Sequence, residues 1–480
     1  NDAPARWITS RLYIPDPDLR LAQYVLLGVG GLRALEAMGI EPGVVHLNEG
    51  HAAFVSLEAA RVEAGGAVGA LDGALEAARR RTVFTTHTPV PAGNDAYPAE
   101  QVASTLSGLA VDLGVAPETI VRLGRTTPHE HAEPFGVTQF ALRTSRVANG
   151  VSRRHGEVAR EMWRGLWTER SADDVPIAHV TNGVHIASWL GSPMRELLDR
   201  HLGDGWLQRA TDPQTWAPVD AIPARDLWAA RRAQREALAA YVRERAVATR
   251  LGRDEPIAFA QAAASFDPDV LTIGFARRLA TYKRLHLLLA DAERARRLVG
   301  SDRPVQVVLA GKAHPRDDEG KRLVQGVFEH KLEPGFASRV VYLDDYDLRM
   351  ASWLVRGCDL WVNLPRPPLE ASGTSGMKSA MNGGLNLSVL DGWWAEAYDG
   401  TNGWAISGET DADHGAQDAR HGAELLHLLE AEVRPGFYAR DADGVPPAWI
   451  ERIRASLRTI GPAFGAGRML EDYQRRIYAA

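Results

Sequence analysis

"VLTIGFARRLATYKR" (270–284) is the stretch that decides the fold, because an apolar run passes directly into a group of basic side chains. Four similar apolar runs follow it: "VQVVLAG" (305–311), "VVYLDD" (340–345), "CDLWVNL" (358–364) and "LNLSVL" (385–390). Between most of them lie helix-like stretches such as "RLHLLLADAERARRL" and "EGKRLVQGVFEHKL". Apolar strands that alternate with helices are typical of a parallel, doubly wound sheet. We therefore predict an α/β fold with ligands at the carboxyl ends of its strands.

The first half of the chain carries similar pieces. "GVVHLNEGHAAF", "TVFTTHTPV" and "RSADDVPIAHVTNGVH" each look like a strand that runs into a polar loop. "LAQYVLLGVGGLRALEAMGI" indicates a buried helix, and its glycines lack the preceding strand of a dinucleotide-binding turn. "TWAPVDAIPARD" (215–226) reads as a linker before a long helix, and the tail from residue 447 as amphipathic helix. We predict domains at 1–220 and 221–446, followed by a helical tail at 447–480.

The bulk composition excludes several function classes. The net charge of −6 over 480 residues gives no general attraction to nucleic acid or to an anionic membrane. Cys358 is the single cysteine, so the sequence offers neither an intrachain disulfide nor a cysteine-based metal site, and we predict no metal. The composition fits a protein of the reducing cytoplasm.

The strand "VLTIGFA" leads to Arg277, Arg278, Lys283 and Arg284. Convergent cations at a strand end, with a helix to follow, favour an anion site. The alternative is an ordinary basic turn exposed to solvent.

"EASGTSGMK" (370–378) gives the sharpest signal, because the chain has only five lysines among 55 basic residues. Gly373, Ser375 and Gly376 let the backbone approach a ligand closely, and the hydroxyls of Thr374 and Ser375 can cap a helix. Lys378 would then lie in the first helical turn, where the helix dipole lowers its pKa and attracts phosphate. An amine beside a phosphate cradle is what a pyridoxal phosphate site requires. The alternative is an ordinary glycine- and serine-rich loop before a helix.

Two loops in the first half carry histidines: "NEGHAAF", with Glu49 and His51, and "THTPVPAGND", with His87. Histidines after strands suit hydrogen bonding to sugar hydroxyls or general acid–base work. A purely structural histidine is the alternative for each of them.

Taken together, these motifs resemble the α-glucan phosphorylases, the glycogen, starch and maltodextrin enzymes, and most of all their bacterial branch. The resemblance extends over nearly the whole chain. It is carried by "HLNEGHAAF", "THTPVPAGND", "ANGVSRRHGEVAREMW", "TNGVHIASW", "RRLATYKR", "LAGKAHP", "YLDDYDLRMA" and "EASGTSGMKSAMNGGLNLSVLDGWW". Ala280 is a departure, since many members of the family carry histidine there.

The resemblance implies a GT-B type fold, with two Rossmann-like doubly wound domains around a central cleft. It implies pyridoxal 5'-phosphate bound as an imine on Lys378, with the cofactor phosphate exchanging a proton with inorganic phosphate. It implies the transfer of a terminal glucosyl unit from an α-1,4-glucan or maltooligosaccharide to inorganic phosphate, which gives α-D-glucose 1-phosphate with retention. A homo-oligomer is left open.

Site residues follow from the same motifs. The residues expected to act in catalysis are His87, Arg278, Lys283 and Lys378. Those expected to hold or flank the cofactor are Gly373, Thr374, Lys283, Arg277, Tyr346, Asn182 and Lys378. Those expected to bind the glucan are Glu370, Ser372, Glu49 and His51, with Gly373 beside the reacting sugar.

The family normally has a few hundred residues before the segment that matches "RLYIPDPDLRLAQ". We therefore expect the first domain to be incomplete, and the 480 residues alone to show little activity and to self-associate. Two other functions stay open. A sugar-nucleotide-dependent retaining glycosyltransferase of the same fold would need a nucleoside pocket but no imine, and an inactive glucan-binding form would bind maltooligosaccharide without Lys378.

Overall fold

The computed structural model describes residues 3–11, 14, 16–65, 71–90, 93–313, 317–330 and 336–479. Contacts divide the chain into two compact units, a first unit of Asn1–Thr181 with Glu471–Ala480 and a second unit of Asn182–Leu470. The last residues belong to the first unit because the rings of Tyr473 and Tyr478 pack on His46. The domain boundaries predicted after residues 220 and 446 stay a prediction.

The first unit contains a parallel sheet of four strands in the order β1-β2-β5-β6, and a short antiparallel pair, β3-β4. Their bounds are β1 Val45–Asn48, β2 Thr82–Thr85, β3 Ala96–Tyr97, β4 Phe135–Gly136, β5 Val147–Gly150 and β6 Ile177–His179. Phe54, Phe135 and Phe140 form an aromatic group in the core of this unit, with ring centroids 5.5–5.9 Å apart.

The second unit contains a parallel sheet of six strands in the order β12-β11-β10-β7-β8-β9. Their bounds are β7 Leu271–Ala276, β8 Val305–Ala310, β9 Val340–Leu343, β10 Leu360–Asn363, β11 Leu385–Val389 and β12 Gly403–Ile406. Alternate residues of β8 enter two different cores, Val305 and Leu309 on one face and Val308 and Ala310 on the other. Both faces are therefore covered, which explains why these strands are apolar throughout. The predicted α/β fold with parallel sheets is confirmed.

The strand order places a topological switch point between β7 and β10. From β7 the chain proceeds outward to β8 and β9, and from β10 it proceeds outward in the opposite direction to β11 and β12. Loops that leave the carboxyl ends of two such strands diverge and open a crevice, which is where α/β sheets bind ligands. Arg277 follows β7, and the segment that leads to Glu370 follows β10.

Helices connect the strands, and several begin at an acidic or hydroxyl side chain that caps the first turn, among them Asp16, Ser152 and Asp413. The α-helices among the described residues are Ala3–Ile8, Pro17–Val25, Gly31–Ala37, Val55–Ala64, Leu71–Arg81, Ala99–Thr105, Ser107–Asp112, Pro117–Val121, Val137–Arg143, Arg153–Trp163, Ile186–Trp189, Ser192–Leu202, Ala224–Gly252, Ile257–Ala263, Ala292–Gly300, Asp318–His330, Leu348–Gly357, Ser375–Met381, Trp394–Ala397, His414–Leu428, Arg434–Tyr438, Pro447–Ala463 and Ala466–Tyr473. None of the helices in the described ranges is both long and apolar enough to span a bilayer.

The prediction of a linker at 215–226 is wrong. A 3-10 helix covers Pro213–Ala221, and Trp216, Val219 and Ile222 are completely buried in the core of the second unit. Because a 3-10 helix has three residues per turn, this spacing places all three side chains on one face.

Two helix predictions also need correction. "RLHLLLADAERARRL" is a 3-10 turn, Leu285–Leu289, followed by the helix Ala292–Gly300, because the Asp291 side chain caps a new helix start. "LAQYVLLGVGGLRALEAMGI" is helical but not wholly buried, since Leu26 and Leu27 are 46% and 56% exposed. Gly28 in that run packs on backbone, because a Cβ there would lie 2.8 Å from the Val55 nitrogen.

Candidate active site

The carboxyl end of β7 is held in place by close backbone packing. The Arg277 nitrogen donates to the Ala310 carbonyl at 3.1 Å, which extends the β7–β8 pairing by one residue. On the neighbouring strand end, Gly311 has φ +155°, and a Cβ there would lie 2.1 Å from the Arg277 carbonyl oxygen. Only glycine fits at position 311, and the close contact between the two strand ends holds the Arg277 backbone in place.

Arg277, Lys283 and Glu370 form an ionic cluster at the switch point. Lys283 ends a short 3-10 turn, Thr281–Lys283, and its Nζ donates to Glu370 Oε2 at 2.6 Å. Arg277 Nη2 donates to the same oxygen, also at 2.6 Å. The three side chains are only 8–11% exposed. Residues that are 87 and 93 positions apart in the sequence therefore meet in one buried group.

The charges of this cluster are set by burial and by each other. Burial, followed by the charge of Arg277, lowers the pKa of Lys283 to about 8, although Glu370 opposes the shift. Burial alone would raise the pKa of Glu370, but Arg277 and Lys283 outweigh it and hold that pKa at about 2. Near neutral pH the carboxylate is ionised and Lys283 is still largely protonated, so the cluster is ionic.

Arg284 fixes the turn that carries Lys283. It has φ +51°, which is uncommon for a residue other than glycine, and its side chain is completely buried. Its Nε and Nη2 donate to the carbonyls of Leu364 and Pro365 at 2.9 and 2.7 Å. Nη1 donates to Asp418 at 3.0 Å. One arginine thus ties the loop after β7 to the loop after β10.

The loop 370–375 leads from the ionic cluster to the helix Ser375–Met381. Gly373 has φ +82°, a conformation that favours glycine. Thr374 stands at the helix N-cap position, but its side chain makes no capping hydrogen bond, so the predicted hydroxyl cap is wrong there. The Ser375 hydroxyl instead accepts from Trp361 Nε1 at 3.0 Å. Lys378 is the fourth residue of this helix, just beyond the predicted first turn.

Lys378 differs from Lys283 in its surroundings. Its Nζ lies 3.9 Å from the centre of the Trp189 ring, and no carboxylate among the described residues pairs with it. Burial lowers the pKa of Lys378. A half-buried amine that faces an aromatic ring rather than an anion is suited to losing its proton and acting as a nucleophile.

Asn382 holds Lys378 and Trp189 together. Its Nδ2 donates to the carbonyls of Lys378 and Trp189 at 2.8 and 2.9 Å. Its Oδ1 accepts from the Gly191 nitrogen at 2.7 Å and from Gln234 Nε2 at 3.1 Å. All the hydrogen-bonding capacity of this fully buried amide is used. The sequence predictions included neither Asn382 nor Trp189.

The described residues fit a ligand that has a phosphate and an aldehyde. Nε and Nη1 of Arg277 and the Ser372 hydroxyl are buried with no hydrogen-bond partner among these residues. Spare donors beside two cations are what a phosphate requires. Glu370, which belongs to the ionic cluster, and Lys378, which faces Trp189, are eight residues apart on one segment.

The first unit brings its own predicted residues together. Glu49 follows β1 with φ +65°, and its carboxylate accepts from the His87 backbone nitrogen and from the Thr86 hydroxyl. His87 also contacts Asn48 through Nε2. Burial lowers the pKa of His87, which Glu49 opposes and His51 reinforces. His51 is exposed and packs edge-on against the Tyr24 ring at 5.3 Å. Glu49 therefore shapes the loop that presents His87.

Among the described residues, the remaining predicted site residues make no hydrogen bond to Lys378. Arg278 is exposed beside Arg277. Tyr346 is half-buried, and burial raises its pKa while the nearby charge of Arg277 opposes the shift. The Asn182 carbonyl accepts from Arg468 at 3.1 Å. Within the described ranges, neither Tyr346 nor Asn182 hydrogen-bonds to Lys378, so their predicted place beside a cofactor stays a prediction. Residues 91–92 of the His87 motif and residues 314–315 of "LAGKAHP" lie outside the described residues.

Fold and site together define an α/β protein with a buried ionic cluster at the switch point of its six-stranded parallel sheet. The family model for carbohydrate phosphorylases matches residues 122–401. The sequence is 40% identical to the glycogen phosphorylase of Aquifex aeolicus over 478 residues, which are 99% of this chain and 68% of that protein. The chain therefore belongs to the carbohydrate phosphorylase family, and the resemblance seen in the sequence motifs is confirmed.

Two further relatives agree. The identity is 43% over 493 residues with the glycogen phosphorylase of Mycobacterium bovis, and 40% over 483 residues with the maltodextrin phosphorylase of Thermococcus litoralis. These matches cover the whole of this chain but 56% of each relative. The chain thus spans between 56% and 68% of the length of these three curated relatives.

Proposed function

We propose that this chain belongs to an α-glucan phosphorylase, which moves a terminal glucosyl unit from an α-1,4-glucan to inorganic phosphate and releases α-D-glucose 1-phosphate with retention. The names of the relatives, glycogen and maltodextrin phosphorylase, support this substrate class. The predicted organisation into two Rossmann-like domains belongs to the same proposal.

The observation that carries the proposal is the pairing of two different sites on one short segment. Glu370 contacts the cations Arg277 and Lys283, and Lys378, eight residues later, offers an amine that faces a ring. We assign pyridoxal phosphate to this segment, with Lys378 as its attachment point and Arg277, Lys283, Gly373 and Thr374 around its phosphate. When bound, the cofactor supplies a phosphate that donates a proton to, and takes one from, inorganic phosphate.

The chain's own side chains do the remaining work in this proposal. Arg278, exposed beside the cluster, binds inorganic phosphate. Two buried cations stabilise negative charge on phosphate groups, because the low dielectric strengthens their field and their positions are already fixed. Glu370 accepts hydrogen bonds from the hydroxyls of the reacting sugar, and the Ser372 hydroxyl accepts or donates them. His87 is assigned to that sugar near the scissile bond, and Glu49 and His51 to the glucan.

The test uses the protein expressed from its whole reading frame and loaded with pyridoxal phosphate. Maltoheptaose and inorganic phosphate should yield glucose 1-phosphate, whereas a sugar nucleotide should not serve as donor. Borohydride reduction followed by peptide mass mapping should mark Lys378. Lys378→Arg keeps the charge but cannot attach the cofactor, so it should lose both the mark and the product.

Lys321→Arg is the matched control, because Lys321 is an exposed lysine that pairs with Asp318. It should keep both the mark and the product. A mark on Lys283 or Lys312, or full turnover in Lys378→Arg, would overturn the assignment.

A further inference from the structure

The ionic cluster contains more positive charge than its carboxylate neutralises. Arg277 and Lys283 both donate to one oxygen of Glu370, Oε2, so two buried cations share a single anion. Two further nitrogens of Arg277 are buried without a hydrogen-bond partner among the described residues. A group with one net positive charge and spare donors favours a second or a stronger anion.

A phosphate that bound to the spare Arg277 nitrogens would lie beside the Glu370 carboxylate, which already uses Arg277 Nη2 and Lys283 Nζ. A phosphate monoester brings three acceptor oxygens and a charge of about −1.5 to −2 near neutral pH. Two anions on the same two cations repel each other strongly in a buried site. The phosphate and the Glu370 carboxylate therefore compete for Arg277 and Lys283.

We propose that Glu370 is the built-in counter-ion of the anion site, and that a phosphate group displaces its carboxylate and so releases it to accept hydrogen bonds from sugar hydroxyls. The inference rests on the proposed function, which gives Glu370 its sugar and the two cations their phosphate. It adds a coupling between sugar binding and phosphate binding. Phosphate binding frees Glu370 for the sugar and, by reciprocity, sugar binding to Glu370 favours phosphate binding.

The surroundings of Glu370 allow its side chain to move while its backbone stays in place. The Glu370 nitrogen donates to Asp391 Oδ2 at 2.9 Å, which fixes the main chain. Gly373 leaves room on the other side, since even a Cβ there would lie 3.5 Å from Glu370 Oε1. The stem is packed more tightly, because a Cβ at Gly392 would approach Glu370 Cγ to 3.1 Å. The proposed exchange therefore moves only the carboxylate end of the side chain, on the side that Gly373 leaves open.

Glu370→Gln is the decisive variant, because it removes the charge and keeps the shape. Inorganic phosphate and pyridoxal 5'-phosphate are titrated against the wild type and the variant, and binding is followed by thermal shift and by absorbance. A competing charge-assisted contact is worth about 1.5–3 kcal/mol, so both ligands should bind at least about tenfold more tightly to the variant. Pyridoxal without phosphate should bind equally to both proteins.

Glu58→Gln is the matched control. Glu58 is completely buried in the first unit and accepts hydrogen bonds from Arg33 and Arg61, so, like Glu370, it is a buried carboxylate between two cations. Its loss should leave phosphate binding unchanged. Glu370→Asp serves as a second variant should Glu370→Gln fail to fold, since the shorter side chain reaches both cations less well. It should tighten phosphate binding in the same direction but by less.

The outcomes separate the two proposals. Equal phosphate affinity in the wild type and in the folded position-370 variants, or weaker affinity in the variants, would refute the competition between Glu370 and phosphate. No binding of phosphate or pyridoxal phosphate by any of the proteins would instead refute the anion site, and with it the proposed function.

Discussion

Replacing Asn382 by alanine should disturb Lys378 without touching it. The wild-type amide makes four hydrogen bonds of 2.7–3.1 Å, two of them to the backbones of Lys378 and Trp189. With alanine at this fully buried position, the four partner groups lose their hydrogen bonds to the Asn382 side chain. Each buried group that stays unsatisfied costs about 1–3 kcal/mol, and partial relaxation reduces the sum to about 3–4 kcal/mol of unfolding free energy.

The effect on Lys378 follows from the cause of its lowered pKa. Burial is the cause of that shift, and Trp189 forms one wall around the amine. Once the backbones of Lys378 and Trp189 are no longer tied together, water reaches the amine and its pKa should rise toward the ordinary value. Loss of the cation–π contact acts in the opposite direction but is worth only about 0.5–1 kcal/mol at a half-exposed site.

The assay is competitive labelling of lysine amines at a series of pH values, read by peptide mass mapping. With only five lysines, each peptide is assigned without ambiguity, and exposed Lys321 is an internal reference. Asn402→Ala is the matched control, because Asn402 is also completely buried and bonds to Ala397 and Thr459 at 2.7 and 3.0 Å. If both variants lose similar stability and neither moves the labelling profile of Lys378, Asn382 is structural only and the reasoning fails.

Two further predictions concern charge. Arg278→Lys should weaken the use of inorganic phosphate by about 10- to 150-fold, because a bidentate fork becomes a point charge, while bound cofactor stays constant; loss of cofactor would place Arg278 in the cofactor clamp instead. His421 is 2% exposed and accepts from Arg284 at 2.9 Å, and burial followed by the charges of Arg284 and Arg420 lowers its pKa to about 4. The unfolded chain therefore takes up a proton before the folded one as pH falls from about 6.5 to 4, so this histidine removes up to about 1.4 kcal/mol of stability per pH unit in that window. Denaturant titrations between pH 7 and 4.5 should show a flatter dependence for His421→Gln than for the wild type, and equal slopes would contradict the assignment.

Much of the second sheet could be predicted because its strands are buried on both faces. Continuous apolar runs such as "VLTIGFA" mark β7 to β11 in the sequence, and all five strands form there. Strand β12 was missed, since "GWAI" begins with glycine. The strand forms because it pairs with β11, although its own sequence gives little indication of a strand.

The candidate site was predictable where motifs carry it and not where distant contacts do. The parallel topology places Arg277 and the loop of Glu370 at neighbouring strand ends, so their meeting follows from the strand order. Trp189 is separated from Lys378 by nearly two hundred residues, and no local pattern relates the two. Asn382 did leave a signal, because an asparagine before two glycines, "MNGG", is typical of a helix end. That signal indicates a cap but not the four partners.

Lys283 and Lys378 show why residue type alone does not define a role. Lys283 meets a carboxylate at 2.6 Å and has Arg277 beside it, so it stays charged near neutral pH. Half-buried Lys378 meets an indole ring, and because no carboxylate among the described residues pairs with it, its proton is easier to lose. The first environment requires a cation, which arginine could also supply, whereas the second requires an amine that deprotonates, which arginine cannot supply. Under the proposed function, lysine at position 378 is explained by chemistry that needs a neutral nitrogen. The ring that distinguishes it from Lys283 comes from Trp189, a residue far away in the chain.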